Sequence, residues 1–143
     1  MDIKSLTLAQ TLQDLKEKKY TSVELTKAYL ERIKKVEPKV KAYVTVTEEE
    51  ALKNAKEADK KRAQGIEAPL LGVPLSVKDN FSTEGIRTTA SSKVLDEYIP
   101  PFDSTVVKKL KDAGMVLLGK TNMDAWAHGS STETSDYGSS RNP

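Results

Sequence analysis

The chain of 143 residues has no cysteine and a single histidine, His128. The first absence excludes disulfides, zinc–cysteine sites and thiol catalysis. The second leaves His128 without the companions a histidine metal cluster needs. No apolar run is long enough to span a bilayer, and the polar, charged N-terminus lacks the pattern of a signal peptide, so a cytoplasmic protein is expected. Nor does one sign of charge dominate: 23 Lys and Arg stand against 21 Asp and Glu, for a net charge of +2. That balance gives no electrostatic footprint for direct nucleic-acid binding. With 37% hydrophobic and 31% charged residues, the composition is that of a modest globular domain, and no internal repeat or flexible linker divides it.

Three segments open with Ser/Thr followed three residues later by Glu or Gln, the signature of a capping box. Thr7-Leu8-Ala9-Gln10 predicts a helix with Leu8, Leu12 and Leu15 on one face. Thr21-Ser22-Val23-Glu24 predicts a second, carrying Leu25, Ala28, Tyr29, Ile33 and Val36 and closed by Pro38. Thr47-Glu48-Glu49-Glu50 predicts a third, with Leu52, Ala55 and Ala58 inward and its end at Gly65. These spacings follow a 3.6-residue period. Ala42–Val46 reads as a short strand.

After Gly65 the texture changes. Val73–Val77 is a short apolar run that reads as a buried strand. Residues 81–102, rich in Thr, Ser, Gly and Pro, read as a long loop of the kind that often carries function. Asp103 or Ser104 caps a further helix with Val106, Val107, Leu110 and Ala113 inward, ended by Gly114. Met115–Leu118 is a second buried strand. Strand, crossover helix and strand predict a right-handed βαβ unit with parallel strands. Asn122–Ala127 predicts the start of another helix, with His128 hydrogen-bonded at its end and Trp126 in a core or pocket wall. Residues 129–142 read as a polar loop.

The chemistry concentrates in Gly72-Val73-Pro74-Leu75-Ser76-Val77-Lys78-Asp79-Asn80, where the apolar run ends in an amine, a carboxylate and an amide. In open α/β sheets, reactive groups gather at the carboxyl ends of strands. A partly desolvated lysine there can serve as a base, which a fully solvated one cannot. A solvated lysine at a strand end is the plain alternative.

Gly114-Met115-Val116-Leu117-Leu118-Gly119-Lys120-Thr121 matches the phosphate-loop pattern letter for letter, which would make the chain a nucleotide-binding module. The context opposes that reading. A phosphate loop follows a strand and exposes its own N–H groups. Here the first glycine follows a helix, and the four middle residues are large and apolar. Gly114 is better explained as a helix C-cap, and Lys120 as another strand-end lysine.

Taken in order, Gly72–Asn80, Asp103-Ser104-Thr105-Val106-Val107, Gly119–Asp124, Gly129–Ser135, Gly138 and Arg141-Asn142-Pro143 resemble the amidase signature family across essentially the whole chain. Within that family, Ser22–Thr26 and Tyr29–Ile33 are most similar to the glutamine-hydrolysing subunits of tRNA-dependent amidotransferases. Four positions depart from the family pattern. Trp126 and His128 stand where Phe and Met or Ala are expected, and Ser139-Ser140 replaces Pro-Thr.

The resemblance implies an α/β fold, a mixed sheet wrapped by helices with an N-terminal helical pair, of which residues 1–143 form a single incomplete domain. It implies Lys78 as the base of a Ser–cis-Ser–Lys triad whose two serines lie in a Gly/Ser-rich signature beyond Pro143. The isolated 143 residues are therefore expected to be inactive. Asp79 and Asn80 are expected to orient the loop around Lys78, and Gly129, Ser130 and Ser131 to sit near the substrate amide. The implied partners are glutamine, the B and C subunits of the complex and, through it, Glu-tRNA(Gln) or Asp-tRNA(Asn). ATP and Mg²⁺ serve one of those partners, and the chain itself is expected to bind no cofactor, metal or membrane. A stand-alone amidase acting on small amides and a non-catalytic binding fragment are the alternatives.

Overall fold

The computed structural model describes residues 2–142, so Pro143 of the Arg141-Asn142-Pro143 motif lies outside the described residues. The elements run α1 (Leu8–Lys16), α2 (Ser22–Val40), β1 (Tyr43–Val46), α3 (Glu48–Ala63), β2 (Pro74–Lys78), α4 (Thr105–Asp112) and β3 (Val116–Thr121). Short 3-10 turns occupy Lys93–Leu95 and Ala125–Ala127. The strands form a sheet of order β1-β3-β2. β1 runs antiparallel to β3, pairing Tyr43 with Thr121 and Val46 with Gly119 across a bulge. Val116 N–H donates to Val73 O, and Asp79 N–H to Thr121 O. Both strands thus advance together, which makes β2 and β3 the expected parallel pair joined through α4.

Contacts divide the chain into two compact units. The first takes the chain up to Lys34 with Thr47–Leu75 and Leu110–Leu118; the second takes Lys35–Val46, Ser76–Lys109 and the chain from Gly119 onward. In the first unit Leu15, Leu25 and Val73 are at most 3% exposed, with Leu6, Leu12, Tyr29 and Leu75 packed around them. Ala51, Ala55 and Ala58 bury the face of α3. Ser22 Oγ donates to the Gly72 carbonyl at 2.7 Å. Gly72 has φ +78°, and a Cβ there would meet Ser22 Oγ at 2.8 Å, so this close approach requires glycine.

The caps show which local signals decide structure. Thr21 and Glu24 form a reciprocal box: Thr21 N–H donates to Glu24 Oε2 at 2.8 Å and Glu24 N–H to Thr21 Oγ1 at 3.1 Å. Thr7 Oγ1 accepts from Gln10 N–H, whereas the Gln10 amide turns away to Asp14. Thr47 makes no side-chain cap; its hydroxyl donates instead to the Leu117 carbonyl. Pro38 does not close α2, which continues to Val40. In a last turn proline forfeits only one backbone bond, and Lys41 N–H still reaches Glu37 O at 2.9 Å.

Two expected inward residues are exposed, Leu8 at 51% and Val106 at 44%, while Val107 is fully buried. Strand β3 runs past Leu118 to Thr121 because Lys120 finds buried partners. The helix expected over Asn122–Ala127 is only a 3-10 turn in which Trp126 and Ala127 adopt φ +60° and +64°. Trp126 is 46% exposed rather than core, and His128 is exposed.

Candidate functional site

All of the residues below belong to the second unit. Lys78 is the last residue of β2, and its side chain is exposed. Its carbonyl accepts Phe81 N–H at 3.0 Å, so the chain turns immediately after the lysine. Asp79 inside that turn is fully buried. Its N–H donates to Thr121 O, and its carbonyl accepts Ala90 N–H. Its Oδ2 accepts the Thr89 N–H at 3.1 Å, the Thr89 hydroxyl, and the Ser91 N–H at 3.4 Å. Asp79 therefore ties the end of β2 to residues 89–91 and is not free to react. The Asn80 side chain is exposed.

The second carboxylate oxygen of Asp79 faces Lys120 Nζ at 3.6 Å, and both side chains are fully buried. That separation is an ion pair rather than a hydrogen bond. The ammonium donates instead to Phe81 O at 2.9 Å and Thr88 Oγ1 at 2.6 Å. Burial pushes the Lys120 amine down to about 8, and Asp79 opposes that shift. Local sequence missed this lysine. It follows an apolar run and looks like a strand terminus, while its counter-ion arrives from the β2 end. The same observation disposes of the phosphate loop: Lys120 and its neighbours lie inside a buried strand.

Ala90 and Ser91 adopt φ +50° and +53°, a conformation costing side-chain-bearing residues about 1–2 kcal/mol each. Hydrogen bonds over-determine it. Ser91 Oγ donates to Asn122 Oδ1 and accepts Met123 N–H, both at 3.1 Å. Asn122 in turn accepts from Ser135 Oγ at 2.7 Å and donates to Gly138 O at 2.8 Å.

Gly129, Ser130 and Ser131 are exposed, on a loop that Asp124 holds. Asp124 accepts the N–H groups of Ser131 at 2.7 Å, Thr132 at 2.9 Å and Thr134 at 3.1 Å, and the Thr134 hydroxyl at 2.8 Å. These donors, Thr134 foremost, bring its carboxyl down to about 2. A Cβ on Gly129 would meet Asp124 Oδ2 at 2.8 Å, so the glycine is fixed by the anchor beneath it. Arg87 performs a parallel task, donating to Asp96, Thr45 and Tyr137 and lying over the Tyr137 ring.

The arrangement is an exposed amine at a strand terminus, standing on a buried polar framework. Comparison with known proteins assigns its family. The amidase family profile matches residues 24–143. The chain belongs to the amidase family. It is 51% identical over 143 residues to the A subunit of glutamyl-tRNA(Gln) amidotransferase from Thermoanaerobacter pseudethanolicus, and 54% identical over 144 residues to that of Carboxydothermus hydrogenoformans. It spans 29% and 30% of the length of those relatives. Among solved structures, the A subunit of glutamyl-tRNA(Gln) amidotransferase from Thermotoga maritima superposes with TM-score 0.75 at 35% identity, over 100% of this chain and 28% of that one. The peptide amidase of Stenotrophomonas maltophilia superposes with TM-score 0.84 at 35% identity, over 89% and 26%. The fold is that of amidase-family enzymes, as the order of motifs implied. Among the described residues, no helix is long and apolar enough to cross a membrane.

Proposed function

We propose that residues 1–143 are the lysine-bearing part of one amidase domain, in the glutaminase subunit of a tRNA-dependent amidotransferase. The observation that carries this reading is the identity of 51–54% with the A subunits of glutamyl-tRNA(Gln) amidotransferases along the whole chain.

In this reading Lys78, exposed among these 143 residues, is the base once the rest of the amidase domain desolvates its amine. It takes a proton through a bridging serine as a second serine attacks the side-chain amide carbon of glutamine. Backbone N–H groups stabilise the tetrahedral oxyanion. That proton returns to the amide nitrogen, and collapse expels ammonia and leaves a glutamyl ester, which water hydrolyses to glutamate. Both serines belong to sequence beyond these residues, so the 143 residues alone should not turn over glutamine. Asp79 holds the backbone next to the base, and Gly129, Ser130 and Ser131 offer a polar rim for the amide. Ammonia passes to a partner, one of the B and C subunits. ATP and Mg²⁺ serve that partner, which activates the carboxylate carried on Glu-tRNA(Gln) or Asp-tRNA(Asn). The overall reaction is a carbon–nitrogen ligation in cytoplasmic protein biosynthesis.

A stand-alone amidase is the second reading, favoured by the higher TM-score of the peptide amidase. Partner dependence separates the two. The complete glutaminase should hydrolyse glutamine well only with the B and C subunits, and Lys78→Ala should abolish turnover while leaving the melting temperature unchanged. Full activity without partners would favour the amidase. Near-wild-type turnover by Lys78→Ala would remove the lysine from the mechanism.

A further inference from the structure

We propose that Lys120 is a positioning residue that acts on Lys78 through the turn joining them. The inference rests on the assignment of Lys78 as the base. The geometry is a closed chain of contacts. Lys78 O accepts Phe81 N–H, and Phe81 O accepts Lys120 Nζ. Lys120 Nζ faces Asp79 Oδ1, and Asp79 is the residue bonded to Lys78. The buried ammonium therefore grips the turn at both its second and fourth residues. Thr88 Oγ1, the other partner of Lys120, precedes the Thr89–Ser91 segment that binds the opposite oxygen of Asp79. One cation thus fixes the turn and the loop against which it rests.

Burying a lysine and an aspartate is expensive compared with a neutral pair of similar size, so stability alone gives little reason for this choice. An ammonium supplies what an apolar side chain cannot: donors for a carbonyl and a hydroxyl together with a charge that faces a carboxylate. The result is a rigid exit for β2, so that the Lys78 amine leaves the strand in one direction. A general base must stand within hydrogen-bond reach of the proton it takes, and a displacement of about 1 Å can cost about 100-fold in rate.

The test uses Lys120→Met combined with Asp79→Asn, which removes the charges together and avoids stranding a buried carboxylate. Site-resolved hydrogen exchange of the chain is measured first. The Phe81 and Ala90 amides should exchange about 100-fold faster than in the parent, while the Leu117 and Leu118 amides keep their protection. In the complete glutaminase with its partners, kcat for glutamine hydrolysis should fall about 100-fold with KM within about threefold, because positioning acts on the transition state and not on uniform binding. A role confined to stability would slow no turnover in the folded variant. Unchanged protection at Phe81 and Ala90 overturns the proposal, and so does wild-type kcat in a folded double variant. Retained glutamine hydrolysis by Lys78→Ala overturns the assignment of Lys78 as the base and, with it, the effect on rate; the exchange data then show whether the clamp itself failed.

Discussion

Lys120 Nζ lies 3.6 Å from Asp79 Oδ1, with neither side chain reached by solvent. Lys120 has an amine held near 8 in the fold against 10.5 for the free side chain, with burial the main cause. The sign follows from proton counting. Between pH 8 and 10.5 the unfolded chain binds more protons at this site than the folded one, so stability rises with pH. Below about 8 both states carry the proton and that contribution is gone. Relative to Lys120→Met combined with Asp79→Asn, the wild-type chain should gain about 3 kcal/mol across the window, since one pKa unit corresponds to about 1.4 kcal/mol. Urea unfolding of both proteins at intervals from pH 7.5 to 10.5 measures it. A difference that stays flat would show that the amine titrates normally.

Glycine positions offer a second contrast. At Gly119, φ is +157° and a Cβ would lie 2.3 Å from the Thr45 carbonyl oxygen and 3.1 Å from Val46 Cα. Gly65 has φ +76° with nothing within 4 Å. Gly119→Ala must push β1 off β3 and should cost about 3 kcal/mol, at the upper end of overpacking penalties. Gly65→Ala meets only the left-handed backbone cost of about 1 kcal/mol. Equal losses in denaturant melts would mean that β1 yields freely to an added methyl group.

What the sequence revealed follows the range of the interactions involved. The N-terminus of α2 was legible because Thr21 and Glu24 satisfy each other within four residues. The same letters at Thr47 placed the start of α3 but not its cap, since a carbonyl at Leu117 takes the hydroxyl. Lys78 was legible as a strand-end amine. Lys120 was not, because its burial depends on Asp79, Phe81 and Thr88, all remote in the chain. Asn122 and Asp124 fall in the same class: each is an ordinary polar residue until the loops it ties are in place. Trp126 carries no sign of its positive φ, which is set by the fold around it, including the bond from its N–H to Ala90 O.

Arg87 joins three segments that share no local motif. Its guanidinium reaches Asp96, Thr45 and Tyr137, and the Tyr137 hydroxyl donates to Asp96 at 2.7 Å. Lysine offers a point charge where this site uses a planar fork. Arg87→Lys should therefore lower stability by about 1–2 kcal/mol, in the range for hydrogen bonds to charged groups. Tyr137→Phe in the Arg87→Lys background should cost less than in the parent, because the two share partners. Strict additivity in denaturant melts would argue that the residues act independently.

The loop carrying Gly129, Ser130 and Ser131 depends on Asp124, and this makes it separable from the rest of the fold. Asp124 alone collects the N–H groups of Ser131, Thr132 and Thr134. Removing the carboxylate strands those donors without touching β3. Glu133 at the loop's surface is exposed, so a glutamate-specific protease reports on the loop directly. Asp124→Ala should raise the rate of cleavage after Glu133 about tenfold or more, since proteolysis follows the population of locally opened states. The far-UV spectrum and the melting midpoint should change little. The wild-type chain should show the same opening in acid. A carboxyl depressed to about 2 contributes its anchoring fully above the unfolded value near 4 and loses it as pH falls through 2. An acid-tolerant protease should therefore open the wild-type loop only at the bottom of that window, while Asp124→Ala is cut equally well throughout. If the variant resists cleavage as the parent does, the loop is held by Asn122 and Ser135 instead, and the polar rim proposed for the substrate amide owes its shape to them.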